Sequence, residues 1–172
     1  MSVEIIVNNE LETNALGRAL AETLPNGSVV ALIGALGAGK TRLVQAVAQA
    51  SGVPIEETGS PTFVLVREYK GDREIYHFDA YRLRDSDEFL ALGAEEYFDS
   101  VDGVSFIEWA DRVDDVIPEE RIEVIIKPLN ENARKITITA RGDMNESLET
   151  LILARWRELV SFDNKDVFST KQ

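Results

Sequence analysis

Residues 29–46 read "VVALIGALGAGKTRLVQA", and this stretch decides the fold. Val29 to Ile33 are apolar without alternation, as in a parallel strand covered on both faces. From Lys40 the pattern changes to helical, with Leu43, Val44 and Val47 forming one stripe. Between them, Gly34-Ala35-Leu36-Gly37-Ala38-Gly39-Lys40-Thr41 satisfies G-x-x-x-x-G-K-[ST] at every fixed position. The pattern arises by chance in roughly one chain in a hundred of this length at ordinary residue usage. Here a buried strand precedes it and an amphipathic helix follows, so the context matches as well. Glycines in such a turn let successive backbone N–H groups converge on an anion, and the following helix aims its positive end there. Lys40 reaches β- and γ-phosphate oxygens, and the Thr41 hydroxyl is placed to ligate Mg²⁺.

Outward from this loop, the elements alternate and then change character. "SVEIIVN" reads as a first strand, and "TNALGRALAETL" (Thr13 to Leu24) as a helix ended by Pro25-Asn26-Gly27. After the loop helix, "TFVLVREY" and "EIYHFDAY" flank a "KGDR" hairpin turn. "SDEFLALGAEEYF" reads as one or two short helices broken at Gly93, "VSFIEW" as a buried strand, and "DRVDDVI" as a short helix stopped by Pro118. "RIEVIIKP" and "RKITITA" form a second hairpin around "LNENA". Glu146 to Val160 reads as an amphipathic helix with Leu148, Leu151, Ile152, Trp156 and Leu159 inward. The expected architecture is α/β: a P-loop NTPase-type three-layer sandwich with a mixed central sheet, parallel near the glycine loop and antiparallel toward an edge. Residues 1–162 are expected to form a single domain, and 163–172 a polar, fraying tail.

Composition limits the chemistry. There are no cysteines and one histidine, which excludes thiolate sites and histidine-rich metal centres. Net charge is −13, from 31 acidic and 18 basic residues, so independent RNA binding is disfavoured unless a partner supplies positive charge. No apolar run is long enough to span a membrane, and the N-terminus lacks a secretory pattern, pointing to the cytoplasm.

An Asn-Lys-x-Asp segment, by which guanine-specific switch proteins read their base, does not occur, which favours ATP over GTP. Two acids end strands where they suit the metal: Glu108 after "VSFI" and Asp79 after "EIYHF". Taken alone, each is equally an ordinary strand-end acid capping the next helix. His77 shares a strand face with Asp79 and reads as a hydrogen-bonded structural histidine rather than a catalytic one. Arg82 and Arg84 stand near enough in sequence to serve a transferring phosphate or to be solvated.

Four segments in order, "GALGAGKT", "SPTF", "HFDAYRL" and "IEWADR", resemble the bacterial TsaE (YjeE) family, the P-loop ATPase of tRNA threonylcarbamoyladenosine (t6A) synthesis. The resemblance spans about residues 10–140. It implies a slow, Mg²⁺-dependent ATPase that converts ATP to ADP and resets or regulates a complex of TsaD and TsaB, with tRNA met only through those partners. By the same resemblance, Thr41 and Glu108 hold Mg²⁺, and Lys40 with the backbone of Gly37, Ala38, Gly39 and Thr41 holds phosphates. Thr62 is the switch threonine, Asp79 orients or activates water, and Trp109 lies at the nucleotide edge. The base is expected between Glu10 and Thr13 on one side and Asn132 and Arg134 on the other. Arg42 adjoins this nucleotide-binding set and stands where many members have a second Thr. Two other readings use the same loop: a small-molecule kinase, and a nucleotide-sensing module with negligible turnover.

Overall fold

The structure is a computed structural model that describes residues 1–61, 63–143 and 147–169, with 163–169 as backbone alone. The strands are β1 (Ser2–Val7), β2 (Val29–Ile33), β3 (Val66–Lys70), β4 (Glu74–Asp79), β5 (Gly103–Glu108), β6 (Arg121–Pro128) and β7 (Arg134–Arg141). The helices are α1 (Glu10–Thr23), α2 (Lys40–Ala50), α3 (Ser86–Leu90), α4 (Ala94–Phe98) and α5 (Leu148–Ser169). The seven strands form one sheet in the order β1-β7-β6-β2-β5-β4-β3. The strand before the glycine loop is therefore the central one. It runs parallel to β5 and β6, and β5 runs parallel to β4. Antiparallel pairing closes both edges, through β3 on one side and through β7 and β1 on the other. The expected antiparallel margin is thus present twice, because each of the two hairpins feeds a different edge.

Alternation along β2 separates two apolar layers. Val30 and Leu32 join a cluster with Leu16 and Leu20 of α1, Leu43 and Val47 of α2, and Ile152 of α5. Val29 and Ala31 face the other side, with Phe78, Phe89, Ala94 and Ile107 under the short helices α3 and α4. This gives the expected three layers, one of full helices and one of short segments.

Helix α1 starts three residues earlier than its apolar pattern, because Asn9 caps it by accepting from the Glu12 amide at 2.9 Å. It crosses α2 so closely that a Cβ on Gly17 would lie 2.7 Å from the Ala46 carbonyl carbon. Gly17→Ala is accordingly expected to destabilise the fold by about 1–3 kcal/mol, the range for overpacking a filled interface, read as a lowered Tm.

Four expectations are corrected. The strand read from Thr62 begins only at Val66: the Val64 and Leu65 amides both donate to the Pro61 carbonyl, and Leu65 is left-handed at φ 65°. The segment "DRVDDVI" is not a helix: a single 3₁₀ turn at Ala110–Arg112, entered through a left-handed Trp109 (φ 59°), takes in only its first two residues. Leu151 is exposed, because α5 meets the sheet through Leu148 and Ile152 and then α1 through Trp156 and Leu159. Helix α5 continues past Val160 to Ser169, and no Gly or Pro interrupts that run. Its expected start at Glu146 lies outside the described residues.

Candidate nucleotide and metal site

The site gathers at the carboxyl ends of β2, β5 and β4, where open α/β sheets bind ligands. Gly37 (φ 76°) and Gly39 (φ 113°) adopt backbone conformations that disfavour side chains, and a Cβ on either would meet nothing within 4 Å. These glycines are required by backbone geometry and leave open space in front of the amides, as an anion cradle needs. Gly39 also caps α2 without any side-chain acceptor, so no side chain occupies the first amides of that helix. Gly34 has a different role: a Cβ there would lie 2.7 Å from the Ile126 carbonyl oxygen, so it permits close packing.

Lys40 opens α2 and is 4% exposed. Its Nζ donates to the carbonyls of Gly34 at 2.5 Å and Ala35 at 3.0 Å, and lies 4.0 Å from the centre of the Trp109 ring. Burial lowers its pKa, while Glu108, Asp79 and Asp111 act to raise it. Those surrounding acids favour the charged ammonium that a phosphate requires.

Strand register brings the acids to the same level. Glu108 at the end of β5 pairs with Leu32 of β2 and with Asp79 of β4. The Thr41 hydroxyl donates to Glu108 Oε1 at 2.6 Å, and His77 Nε2 lies 2.6 Å from the same oxygen. Asp79 Oδ1 accepts from the Tyr81 amide at 2.9 Å, which fixes the carboxylate at the strand end. Trp109 follows Glu108 in its left-handed turn and meets the Tyr81 ring at 4.8 Å between centroids. Lys40, Thr41, Asp79, Arg82, Glu108 and Trp109 line a concavity of about 500 Å³.

On the other side of the glycine loop, a concavity of about 620 Å³ is lined by Glu10, Thr13, Ala38, Arg42, Asn132 and Arg134, among others. Gly37, Gly39 and Arg42 border both spaces. Arg42 is held by Asn14 Oδ1 at 2.7 Å and lies 3.8 Å from Glu10. Arg134 Nε donates to the Ala38 carbonyl at 3.1 Å, tying β7 to the loop. Lys40, Thr41, Asp79, Glu108 and Trp109 thus line one space, Glu10, Thr13, Asn132 and Arg134 the adjoining one, and the glycine loop lies between them. Thr62 lies outside the described residues. Arg82 reaches the rim, over the Phe63 ring at 4.6 Å, whereas Arg84 pairs with Glu88 on the surface.

In the sequence His77 reads as a structural histidine and Tyr69 has no assigned role. The structure joins them: the Tyr69 hydroxyl lies 3.2 Å from His77 Nδ1, behind Glu108. The available signal was the two-residue spacing of His77 and Asp79; Tyr69 carried none.

Among the described residues, no group of three or more His, Cys, Asp or Glu side chains is arranged to hold a metal. Thr41 and Glu108 nevertheless supply converging hard oxygen donors, which fit Mg²⁺ when phosphate oxygens and water complete the coordination.

A family profile described as "Threonylcarbamoyl adenosine biosynthesis protein TsaE" matches residues 7–136. The chain belongs to the TsaE family. A TsaE protein of Bacillus subtilis is 38% identical over 141 residues, covering 81% of this chain and 87% of the relative. One from Treponema pallidum is 39% identical over 127 residues, covering 74% and 93%. Both carry the name "tRNA threonylcarbamoyladenosine biosynthesis protein TsaE". The crystal structure of B. subtilis YdiB superposes with a TM-score of 0.72 at 32% identity, covering 95% of this chain and 97% of that one. The TsaE match runs from the end of β1 into β7 and so contains both concavities, while α5 lies beyond it.

Proposed function

We propose that this TsaE-family protein is a Mg²⁺-dependent ATPase of slow intrinsic turnover, required for t6A modification of tRNA. It acts on or regulates the TsaD–TsaB complex in the cytoplasm. The observation that carries the reading is the convergence of Lys40, Thr41, Glu108 and Asp79 around one open space beside the glycine loop. The relatives' names support the biosynthetic role. The absence of a guanine-reading segment supports ATP, and a net charge of −13 supports contact with tRNA through partners. No helix among the described residues is long and apolar enough to cross a membrane.

In this mechanism, the amides of Gly37 to Thr41 and the Lys40 ammonium hold the phosphates and stabilise charge on the transferring group. Thr41 and Glu108 hold Mg²⁺, which when bound neutralises phosphate charge. Asp79, held by the Tyr81 amide and lining this space, orients the water that attacks the γ-phosphorus. Thr62 serves as the switch threonine, and Trp109 borders the nucleotide. Glu10, Thr13, Asn132 and Arg134 enclose the base, with Arg42 between the base and phosphate spaces.

Asp79→Asn tests the assignment, because it keeps an oxygen for the Tyr81 amide and removes the charge. ATP affinity is expected to stay within about twofold, while hydrolysis falls by about 100-fold, the scale of a lost acid–base group. Equal loss of both would place Asp79 in binding instead. Chromatography of the products decides against the kinase reading if the γ-phosphate appears as free phosphate even when candidate metabolites are present. Capture of TsaD and TsaB with and without ATP tests the partner assignment.

A further inference from the structure

Beneath α2, a line of polar side chains crosses three strands of the sheet. Thr41 donates to Glu108 Oε1, His77 Nε2 reaches the same oxygen, Tyr69 reaches His77 Nδ1, and the Tyr69 hydroxyl donates to the Gly59 carbonyl. Glu108, His77 and Tyr69 belong to β5, β4 and β3, with His77 opposite Phe106 and Tyr69 opposite Ile75. They therefore step diagonally across one face. Glu108 is 3% exposed, His77 0% and Tyr69 3%, so each depends on the others for its polar contacts.

At the far end, three successive carbonyls are held by side chains of two elements, α2 and β3. Gln45 of α2 donates to Thr58 at 2.9 Å, Tyr69 donates to Gly59, and Arg67 donates to Ser60 at 2.9 Å. The root of this loop is thus fixed to α2 and to β3, with Tyr69 and His77 between it and Glu108.

We propose that Tyr69 and His77 are positioning residues that couple the Glu108 carboxylate to the loop Thr58–Pro61. The consequence for hydrolysis rests on the ATPase reading above; the coupling itself does not. A proton count explains how it works. A carboxylate only accepts, so the proton of the His77–Glu108 contact lies on Nε2, and the ring's other nitrogen, Nδ1, faces the Tyr69 hydroxyl. The Tyr69 hydroxyl thus joins His77 Nδ1 to the Gly59 carbonyl, to which it donates. Burial pushes the Tyr69 hydroxyl up to about 12, so it keeps that proton at physiological pH. A change in the position of Glu108 moves His77, displaces the Tyr69 hydroxyl, and reaches Gly59 without direct contact.

The test is amide exchange in the full chain without nucleotide, read at Val64 and Leu65, whose amides both donate to the Pro61 carbonyl. Amides of β2 serve as the reference for global opening. Tyr69→Phe preserves the ring and is expected to speed exchange at Val64 and Leu65 by about three- to tenfold, the scale of one hydrogen bond. Glu108→Ala should produce a similar acceleration, and the double variant no more than Tyr69→Phe alone. Should Glu108→Ala fail to fold, His77→Gln takes its place in the same cycle, since Gln can donate to Glu108 but cannot bridge to Tyr69. Additive effects, or no effect of either partner at the loop, overturn the coupling. Hydrolysis by the same proteins separates the two readings. Tyr69→Phe should lower kcat by about tenfold with ATP affinity unchanged. A coupled exchange cycle in a protein without hydrolysis would remove the ATPase reading and leave the coupling standing; hydrolysis with an additive cycle would do the reverse.

Discussion

Lys40→Ala is expected to lower ATP affinity by about 10- to 100-fold, the scale of a charge-assisted hydrogen bond to phosphate. The ammonium lies on the Gly34 and Ala35 carbonyls and beside Trp109. Its position at the first turn of α2 puts it within reach of an anion in the cradle. Truncation removes the only cation lining the phosphate space apart from Arg42 and Arg82, among the described residues. Lys40→Arg should not restore affinity, because a planar fork does not replace a compact ammonium in a space built around one. Calorimetric titration with ATP measures the loss directly. Quenching of Trp109 by nucleotide provides an independent reading, since the lysine already stands over that ring.

Glu108→Gln should have the larger effect on turnover. Glutamine retains the size of the side chain and an oxygen that accepts from Thr41 or His77, but it removes the charge offered to Mg²⁺. Hydrolysis is expected to fall by about 100-fold, with the Mg²⁺ concentration for half-activation raised at least about tenfold. ATP binding in the presence of a chelator should change little, because the cradle amides and Lys40 are untouched. Glu108→Ala removes the acceptor as well and leaves His77 buried beside an empty position. Its loss of stability should therefore exceed that of the glutamine variant, by about 1–3 kcal/mol for the unsatisfied group. Thermal denaturation of the two variants separates the metal effect from the folding effect.

Much of this molecule was legible in its sequence because local rules and global fold agree there. The uniformly apolar Val29–Ile33 announced a central strand, and the glycine spacing announced the loop. Asp79 and Glu108 stood out because each ends a strand, and parallel register does place them side by side. The grouping of Glu10 and Thr13 with Asn132 and Arg134 had no local signal, since the pairing of β1 with β7 closes that distance; it entered through family resemblance. The Tyr69–His77–Glu108 line was invisible for the same reason: diagonal neighbours on three strands depend on register. The left-handed Leu65 and Trp109 escaped because nothing in a β-prone run marks a non-glycine residue for positive φ. Leu151 was misplaced because α5 changes partners along its length, from the sheet to α1.

The central claim is that this site hydrolyses ATP with a metal held by Thr41 and Glu108. Phosphate release from ATP, measured across a Mg²⁺ titration for the wild-type chain and Glu108→Gln, tests it most directly. Slow, saturable release that requires Mg²⁺ is expected of the wild type, and a much slower reaction with a rightward-shifted requirement of the variant. Identical Mg²⁺ curves for the two proteins would contradict it.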